Sequence, residues 1–397
     1  MAPVSTRVLK CDPSSIHFLP GSEQPEITCP ETRDALKIAS YHLVDLAEPV
    51  AFPTETVYGL GAMAMDAGAS NQIFKTKGRP ADNPLIVHVS SFAMLNTLLP
   101  KGYVLSRAYQ ALIKHFWPGA LTLLFPRDAA IVPNIITAGQ PTVALRMPSH
   151  PVARALIAVA NTPLAAPSAN TSGKPSPTRA DHVLRDLNGK INIILDGGAC
   201  EVGLESTVVD GLHEDGKIRL LRPGGITVED IQRVLREEMG ACGHVPEVLV
   251  YRRDYTDEAM EQAPTTPGMK YRHYSPSVPL TLLMTSSRPP TGQSSTPVLS
   301  FLESLNTAQR SKVGILAPSD SALWELLPAG IEWHRYPLGP IAQPSMSAHL
   351  LFDGLLTLEQ EGVDRMIIEE IKEDREGLAV MNRVKKAAGD VQWIYFE

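Results

Sequence analysis

No stretch of about 18 uninterrupted apolar residues occurs in the 397-residue chain, which excludes a membrane-spanning helix. Its four cysteines, Cys11, Cys29, Cys200 and Cys242, are far apart and form no C-x-x-C pair. That spacing argues against a zinc site or a disulfide framework and fits reduced thiols in the cytoplasm. The first ten residues carry Arg7 and Lys10 without an apolar core, so they are no secretory signal, although they leave a mitochondrial address open. The chain has neither a G-x-x-x-x-G-K-[ST] loop nor an H-E-x-x-H pair, and no Ser-His-Asp or Cys-His signature stands out. An excess of basic residues is missing too, and the net charge of −7 disfavours indiscriminate adhesion to nucleic acid. Residues 251–397 hold 14 basic and 19 acidic side chains against 22 and 24 in residues 1–250, so most of the negative balance lies in the last third.

What is present describes a globular protein of more than one core. Apolar residues make up 44% and charged residues 20%, and the length fits two domains. Residues 1–29 are proline-punctuated and read as a lead-in. From Pro30, helical spacing of Leu36, Ala39, Leu43 and Ala47 opens an alternation of strands and helices. Thr227, with Asp230 three residues on, reads as the N-cap of a helix from Val228. This places a mixed α/β domain over residues 30–245, a linker over 246–279 and a smaller domain over 280–397. The second domain repeats a simple βα rhythm, expected to give a parallel sheet, with Phe301–Gln309 among its helices and Thr285–Pro297 as a flexible insertion. No G-x-G-x-x-G opens a βα turn there, so a dinucleotide site is unsupported. The linker holds Lys270-Tyr271-Arg272-His273-Tyr274, an unusual composition for a passive tether.

Five segments of the first domain share one character: few acids, many hydroxyls and amides, and isolated cations. In the first, the apolar run Val50–Phe52 ends in Pro53-Thr54-Glu55-Thr56-Val57-Tyr58 and a tight turn with Gly59 and Gly61. Ligands of open α/β sheets sit beyond such strand ends, although a solvent-exposed loop would read the same way. The second, Lys75-Thr76-Lys77-Gly78-Arg79-Pro80 with Asn83 and His88 beyond it, suits phosphate oxygens or merely a charged helix end. In the third, Thr142–Met147, Arg146 sits among apolar residues and must find an ion-pair partner or a ligand carboxylate. The fourth, Ala166-Pro167-Ser168-Ala169-Asn170 running on to Ser176, offers small donors around a polyanion or a plain Ser/Pro loop. The fifth joins Glu205-Ser206-Thr207 to Arg222-Pro223-Gly224 after a strand. Such an inventory binds a polyanion and a small polar substrate. It points to phosphoryl or nucleotidyl transfer, where positioning and charge neutralisation do most of the work.

In their order along the chain, these segments resemble the threonylcarbamoyl-AMP synthase family with its YrdC-like catalytic domain. The matching elements are Pro53–Leu60, Lys77–Pro80, Asn83–Leu85, Phe116–Gly119, Leu145–Pro148, Pro167–Asn170 and Arg222–Gly224. The segment Pro267–Tyr274 and the βα tail look like the longer, two-domain form of that family. The resemblance implies a YrdC-like twisted mixed sheet with helices, followed by a smaller Rossmann-like parallel α/β domain. It implies a cytoplasmic enzyme that joins L-threonine, bicarbonate or CO2, and ATP into threonylcarbamoyl-AMP and pyrophosphate. Mg²⁺ would enter with ATP, and a downstream threonylcarbamoyl transferase complex would act on tRNA, to which this chain itself would bind weakly at most.

By motif, the resemblance assigns Thr56, His88, Arg146, Ala166 and Ser206 to threonine. It assigns Arg79, Asn83, Thr142, Ser168, Ser176 and Arg222 to the nucleotide, with Lys77 and Asn170 completing the catalytic set and no protein-held metal. Tyr271 and Tyr274 are both left as covers for the nucleotide. The rival expectations are a non-enzymatic RNA-binding protein with the same fold, and a carbamoyltransferase domain. The overall acidity opposes the first, and the lack of zinc-finger and acylphosphatase segments opposes the second.

Overall fold

The computed structural model describes residues 5–257, 273–306 and 311–396, which form two compact units. One comprises Met1–Ser172 with Ser176–Lys270, the other Gly173–Pro175 with Tyr271–Glu397. Among the described residues no helix is long and apolar enough to cross a membrane.

The first unit is built on strands β1 (Arg7–Lys10), β2 (Ile16–His17), β3 (Glu26–Ile27), β4 (Val50–Phe52), β5 (Gly59–Met63), β6 (Ile86–His88) and β7 (Leu121–Pro126). It continues with β8 (Thr142–Arg146), β9 (Leu164–Ala165), β10 (Ile193–Asp196), β11 (Thr207–Asp210), β12 (Ile218–Arg222) and β13 (Val248–Val250). Eleven of them make one mixed sheet in the order β1-β10-β4-β5-β9-β6-β8-β7-β11-β12-β13, while β2 and β3 pair with each other. Its helices are α1 (Pro30–Val44), α2 (Ala67–Lys77), α3 (Phe92–Asn96), α4 (Arg107–Phe116), α5 (Asn134–Thr137), α6 (Pro151–Ala160), α7 (Ala180–Leu187) and α8 (Val228–Met239). The faces of α1 and α6 that carry Leu36, Ala39, Leu43, Val152 and Leu156 bury fully against Val50, Phe52, Ile193 and Leu195 of the sheet. Thr227 does cap α8, its hydroxyl accepting from the Asp230 amide at 3.1 Å.

Three readings of the sequence need correction. The lead-in carries a strand of the main sheet: Arg7–Lys10 pairs parallel with β10 along the sheet edge. Its side chains are mostly exposed, and so it shows none of the apolar patterning that betrays an inner strand. Gly59 and Gly61 do not lie in the turn but in β5, antiparallel to β4. A Cβ at Gly61 would sit 2.5 Å from the Phe52 ring, so glycine there serves packing rather than turning. The first sheet also runs on to Val250, past the boundary drawn at residue 245.

The second unit is a six-stranded sheet, β15-β19-β14-β18-β16-β17, in which every pairing is parallel. Its strands are β14 (Leu280–Met284), β15 (Thr296–Pro297), β16 (Lys312–Ala317), β17 (Glu332–Pro337), β18 (Arg365–Glu369) and β19 (Asp390–Tyr395). The helix expected over Phe301–Gln309 lies instead at Val298–Ser304, where Val298 and Leu302 bury against the sheet, and residues 307–310 lie outside the description. The stretch Thr285–Pro297 ends in β15 against β19, two strands the apolar pattern did not reveal because their residues are half-buried.

In the first unit, Gly224 lets the Arg222 segment lie against the Glu205–Thr207 backbone. A Cβ there would lie 2.2 Å from the Glu205 carbonyl oxygen and 2.5 Å from backbone atoms of Ser206 and Thr207. Backbone cannot yield as a side-chain tip can. Gly224→Ala is expected to destabilise the protein by about 1–3 kcal/mol in urea unfolding, whereas an unchanged midpoint would mean the two segments slide apart freely.

Candidate active site

Three polar loops of the first unit are laced together by backbone hydrogen bonds. The turn after β4 donates from Tyr58 to the Pro177 carbonyl at 2.8 Å, and β5 donates from Leu60 to that of Pro167 at 2.8 Å. The turn accepts from Ala169 at Tyr58, from Val202 at Glu55 and from Gly203 at Thr56, at 2.8, 2.8 and 3.1 Å. Residues far apart in sequence are thereby fixed over the strand ends.

Two buried charges in this region form a pair. Arg146 and Glu55 are 3% and 5% exposed, and Nη2 of the arginine bonds Oε1 of the carboxylate. Arg146 also donates from Nη1 to Thr56 Oγ1 at 3.0 Å and from Nε to the Gly119 carbonyl at 3.1 Å. Glu55 Oε2 accepts from the Ser149 amide at 3.1 Å. The ion-pair reading of Arg146 is therefore present in the structure, with a partner the sequence analysis did not single out. A charge in an apolar strand demands such a partner, so the signal existed.

Parallel pairing of β6 with β8 sets His88 directly beside Arg146. Burial first, and the arginine charge second, push the His88 imidazole down to about 3. Its ring nitrogen lies 3.2 Å from the Ile86 carbonyl, and it is uncharged at neutral pH. Ala166 is buried in the adjoining segment and donates its amide to the Ile86 carbonyl at 3.0 Å.

A second cluster begins at the end of α2. Gly78, at φ 61°, caps the helix in the left-handed conformation and turns the chain just after Lys77. The Lys77 ammonium is 3% exposed and donates to the carbonyl of Ser168 and, at 2.5 Å, to that of Asn170. Burial, then the nearby Arg79 cation, hold this amine well below its ordinary range, opposed by Asp186 and Glu205. Arg79 Nη2 donates to the carbonyls of Asn83 and Pro84, both at 3.2 Å. Thr142 opens β8, the strand that ends at Arg146. Asn83 Oδ1 and Thr142 Oγ1 are both buried without a hydrogen-bond partner among the described residues. A buried polar atom without a protein partner is met by water, an ion or a ligand.

The third cluster holds Ser206 and Arg222. Arg222 donates from Nε and Nη2 to the Ser206 carbonyl at 3.1 and 2.8 Å, and from Nη2 to Ser206 Oγ at 3.1 Å. Behind them, Thr122 Oγ1 lies 2.8 Å from Ser206 Oγ. Ser176 donates to Glu205 Oε1 at 2.6 Å. Glu205 and Thr122, like Glu55, were missed because they act on neighbours that only folding brings near.

Tyr274 belongs to the second unit, where it is 1% exposed with its ring 5.2 Å from that of Phe352. Tyr271 lies outside the described residues.

Comparison with known proteins gives a consistent result. Residues 43–224 match the Sua5–YciO–YrdC family profile, described as telomere recombination. Residues 226–389 match the profile described as the threonylcarbamoyl-AMP synthase C-terminal domain. The threonylcarbamoyl-AMP synthase of Schizosaccharomyces pombe is 43% identical, over 98% of this chain and 97% of that protein. The Bacillus subtilis protein of that name is 42% identical over 86% of this chain and 90% of its own length. Among solved structures, Pyrococcus abyssi Sua5 complexed with L-threonine is similar with a TM-score of 0.75 and 34% identity, covering 98% of this chain and 99% of that one.

His88 supplies a pH test. Its folded pKa is depressed, so the unfolded chain binds the extra proton first, and stability present above about 6.5 is lost as pH falls toward about 3. Over that window His88→Gln is expected to flatten the stability profile by about 1.4 kcal/mol per pH unit. Urea unfolding of both proteins at pH 7 and pH 5 measures it, and parallel profiles would show that His88 titrates normally.

Proposed function

The chain belongs to the threonylcarbamoyl-AMP synthase family, and from that premise we propose that it joins L-threonine, CO2 or bicarbonate, and ATP into L-threonylcarbamoyl-AMP and pyrophosphate. The observation that carries this reading is the buried Arg146, held by Glu55 and Thr56 beside an uncharged His88. Arg146 spends three of the five N–H groups of a guanidinium on Glu55, Thr56 and Gly119. The remaining N–H groups bind the threonine carboxylate, in a pocket completed by Thr56, His88, Ala166 and Ser206.

The nucleotide lies along Arg79, Asn83, Thr142, Ser168, Ser176 and Arg222. The orphaned Asn83 Oδ1 and Thr142 Oγ1 support this edge, since each needs a partner the protein does not provide. Lys77 fixes the loop through two carbonyls, which leaves one ammonium N–H for phosphate oxygen. Mg²⁺ arrives as part of the ATP substrate. Phosphate oxygens and water are expected to hold the ion.

In the reaction, the neutral threonine amine attacks CO2, forming the C–N bond of a carbamate and releasing a proton. A carbamate oxygen then attacks the α-phosphorus, and the bond to pyrophosphate breaks. Arg79, Arg222 and Lys77 offset the charge that gathers on the departing phosphates. A downstream transferase complex moves the threonylcarbamoyl group to tRNA.

Pyrophosphate release by the full chain is expected only with L-threonine, bicarbonate and Mg-ATP all present, each omission abolishing it. Release without threonine would sink the assignment. Arg146→Ala is expected to raise the threonine KM at least about thirtyfold, since it strips the pocket of its buried cation. A normal threonine affinity in that variant would remove Arg146 from the pocket.

A further inference from the structure

The second unit carries a polar cluster at its strand ends, built from none of the residues assigned to threonine and ATP. Its sheet runs in the order β15-β19-β14-β18-β16-β17. The chain leaves β16 for β17 on one side, and leaves β18 through the helix Glu376–Ala387 for β19 on the other. The connections therefore part between the neighbouring strands β16 and β18. In open α/β sheets, ligands sit in the crevice that such a parting opens beyond the carboxyl ends of the strands.

Glu369 ends β18 at that point. Ile367, two residues before it, lies in one apolar cluster with Leu283, Ile315 and Ala317, and strand side chains alternate, so Glu369 follows on the same face. It is 8% exposed, and its Oε2 is buried without a hydrogen-bond partner among the described residues. Burial above all pushes its carboxyl up. The hydroxyls of Ser321 and Thr285 oppose that shift, while the neighbouring acids Glu370 and Asp320 add to it.

Among the described residues no basic side chain forms an ion pair with any of these three acids. Glu370 takes the amides of Ser286 and Ser287 on one oxygen and the Ser287 hydroxyl on the other. Asp320 Oδ1 accepts from the Ile341 amide at 2.9 Å. That bond brings in the loop after β17, where Ile341 and Met346 are exposed.

A buried carboxylate keeps its charge beside a positive partner, so three acids without a basic side chain call for a cation. A divalent metal ion takes about six to eight oxygens, whereas Glu370 and one oxygen of Asp320 are already occupied by the protein. An ammonium group needs fewer acceptors, and the carbon chain it carries has Ile341 and Met346 to lie against.

We propose that the crevice between β16 and β18, with the buried Glu369 and the exposed Asp320, binds a small organic molecule through an ammonium group. The ammonium donates to Glu369 Oε2 and supplies its missing partner. This site goes beyond the reaction proposed above and does not rest on it.

The test titrates the full chain with the diamine putrescine by calorimetry, at constant ionic strength. Threonine and ATP are left out, so the result is independent of the reaction. Wild-type protein is expected to bind the diamine saturably, and Glu369→Gln to weaken binding at least about tenfold. Glu303→Gln, at an exposed acid of the same unit, is expected to leave binding unchanged, and butanediol, which has no charge, to fail to bind.

Absence of saturable binding overturns the proposal, since Oε2 is then met by water alone. Equal binding by wild type and Glu369→Gln, or of diamine and diol, overturns it as well. Equal losses in Glu369→Gln and Glu303→Gln do the same, because they report diffuse attraction to an acidic surface. A site that Ca²⁺ fills and the diamine does not, lost in Glu369→Gln, makes the occupant a metal ion and also overturns it. Should Glu369→Gln fail to fold, the wild type decides: the methyl signals of Ile341 and Met346 are expected to shift along the diamine titration, and shifts confined to other residues overturn the proposal.

Discussion

The Glu55–Arg146 pair is the constraint on which the site depends. Two opposite charges taken out of water cost several kcal/mol each unless their remaining hydrogen-bonding groups are met, to the extent of about 3–5 kcal/mol when one partner is lost. Here the arginine reaches Gly119 and Thr56 as well as the carboxylate, and the carboxylate also takes the Ser149 amide. Each added bond ties a different segment to the pair. The turn after β4, the cis-proline corner at Trp117–Pro118, strand β8 and the start of α6 are held to one geometry by the need to keep two charges satisfied.

The same logic recurs with Lys77. Its amine is buried and answered by two backbone carbonyls rather than by a carboxylate. Asp186, which opposes the depression of the Lys77 amine, is itself occupied with the amide and hydroxyl of Thr171. Lys77 and Arg79 stand close enough for one cation to bear on the other, in an acidic protein of net −7. His88 adds nothing to that charge, because burial beside Arg146 keeps it neutral. It offers a hydrogen-bonding ring where a second cation would be too costly.

Much of this architecture was legible in the sequence because apolar periodicity reports burial. Strands such as Leu280–Met284 and Arg365–Glu369, and the helix Pro151–Ala160, were visible in their residues for that reason. Two half-exposed strands were not. Arg7–Lys10 and Asp390–Tyr395 keep much of their surface in water, so their pattern carries little periodic signal. The polar loops were legible as loops, and their hydroxyls, amides and cations announced a polyanion site. Which hydroxyl donates and which accepts was not readable, since that depends on carbonyls brought close by the turn itself, as Val57 is to Thr54.

The sequence by itself determined the inventory: which strands are buried, where chain direction changes at proline and glycine, and which polar groups await a ligand. Local chemistry suffices for these, because periodicity and turn propensity act over a few residues. Only the tertiary structure decided how that inventory is spent. Glu55 and Arg146 stand 91 residues apart, Lys77 and Asn170 stand 93 apart, and Ser176 and Glu205 stand 29 apart. No local rule links them. They meet because an eleven-stranded sheet of mixed direction brings distant strand ends to one place, and because a buried charge must find its partner wherever in the chain that partner lies.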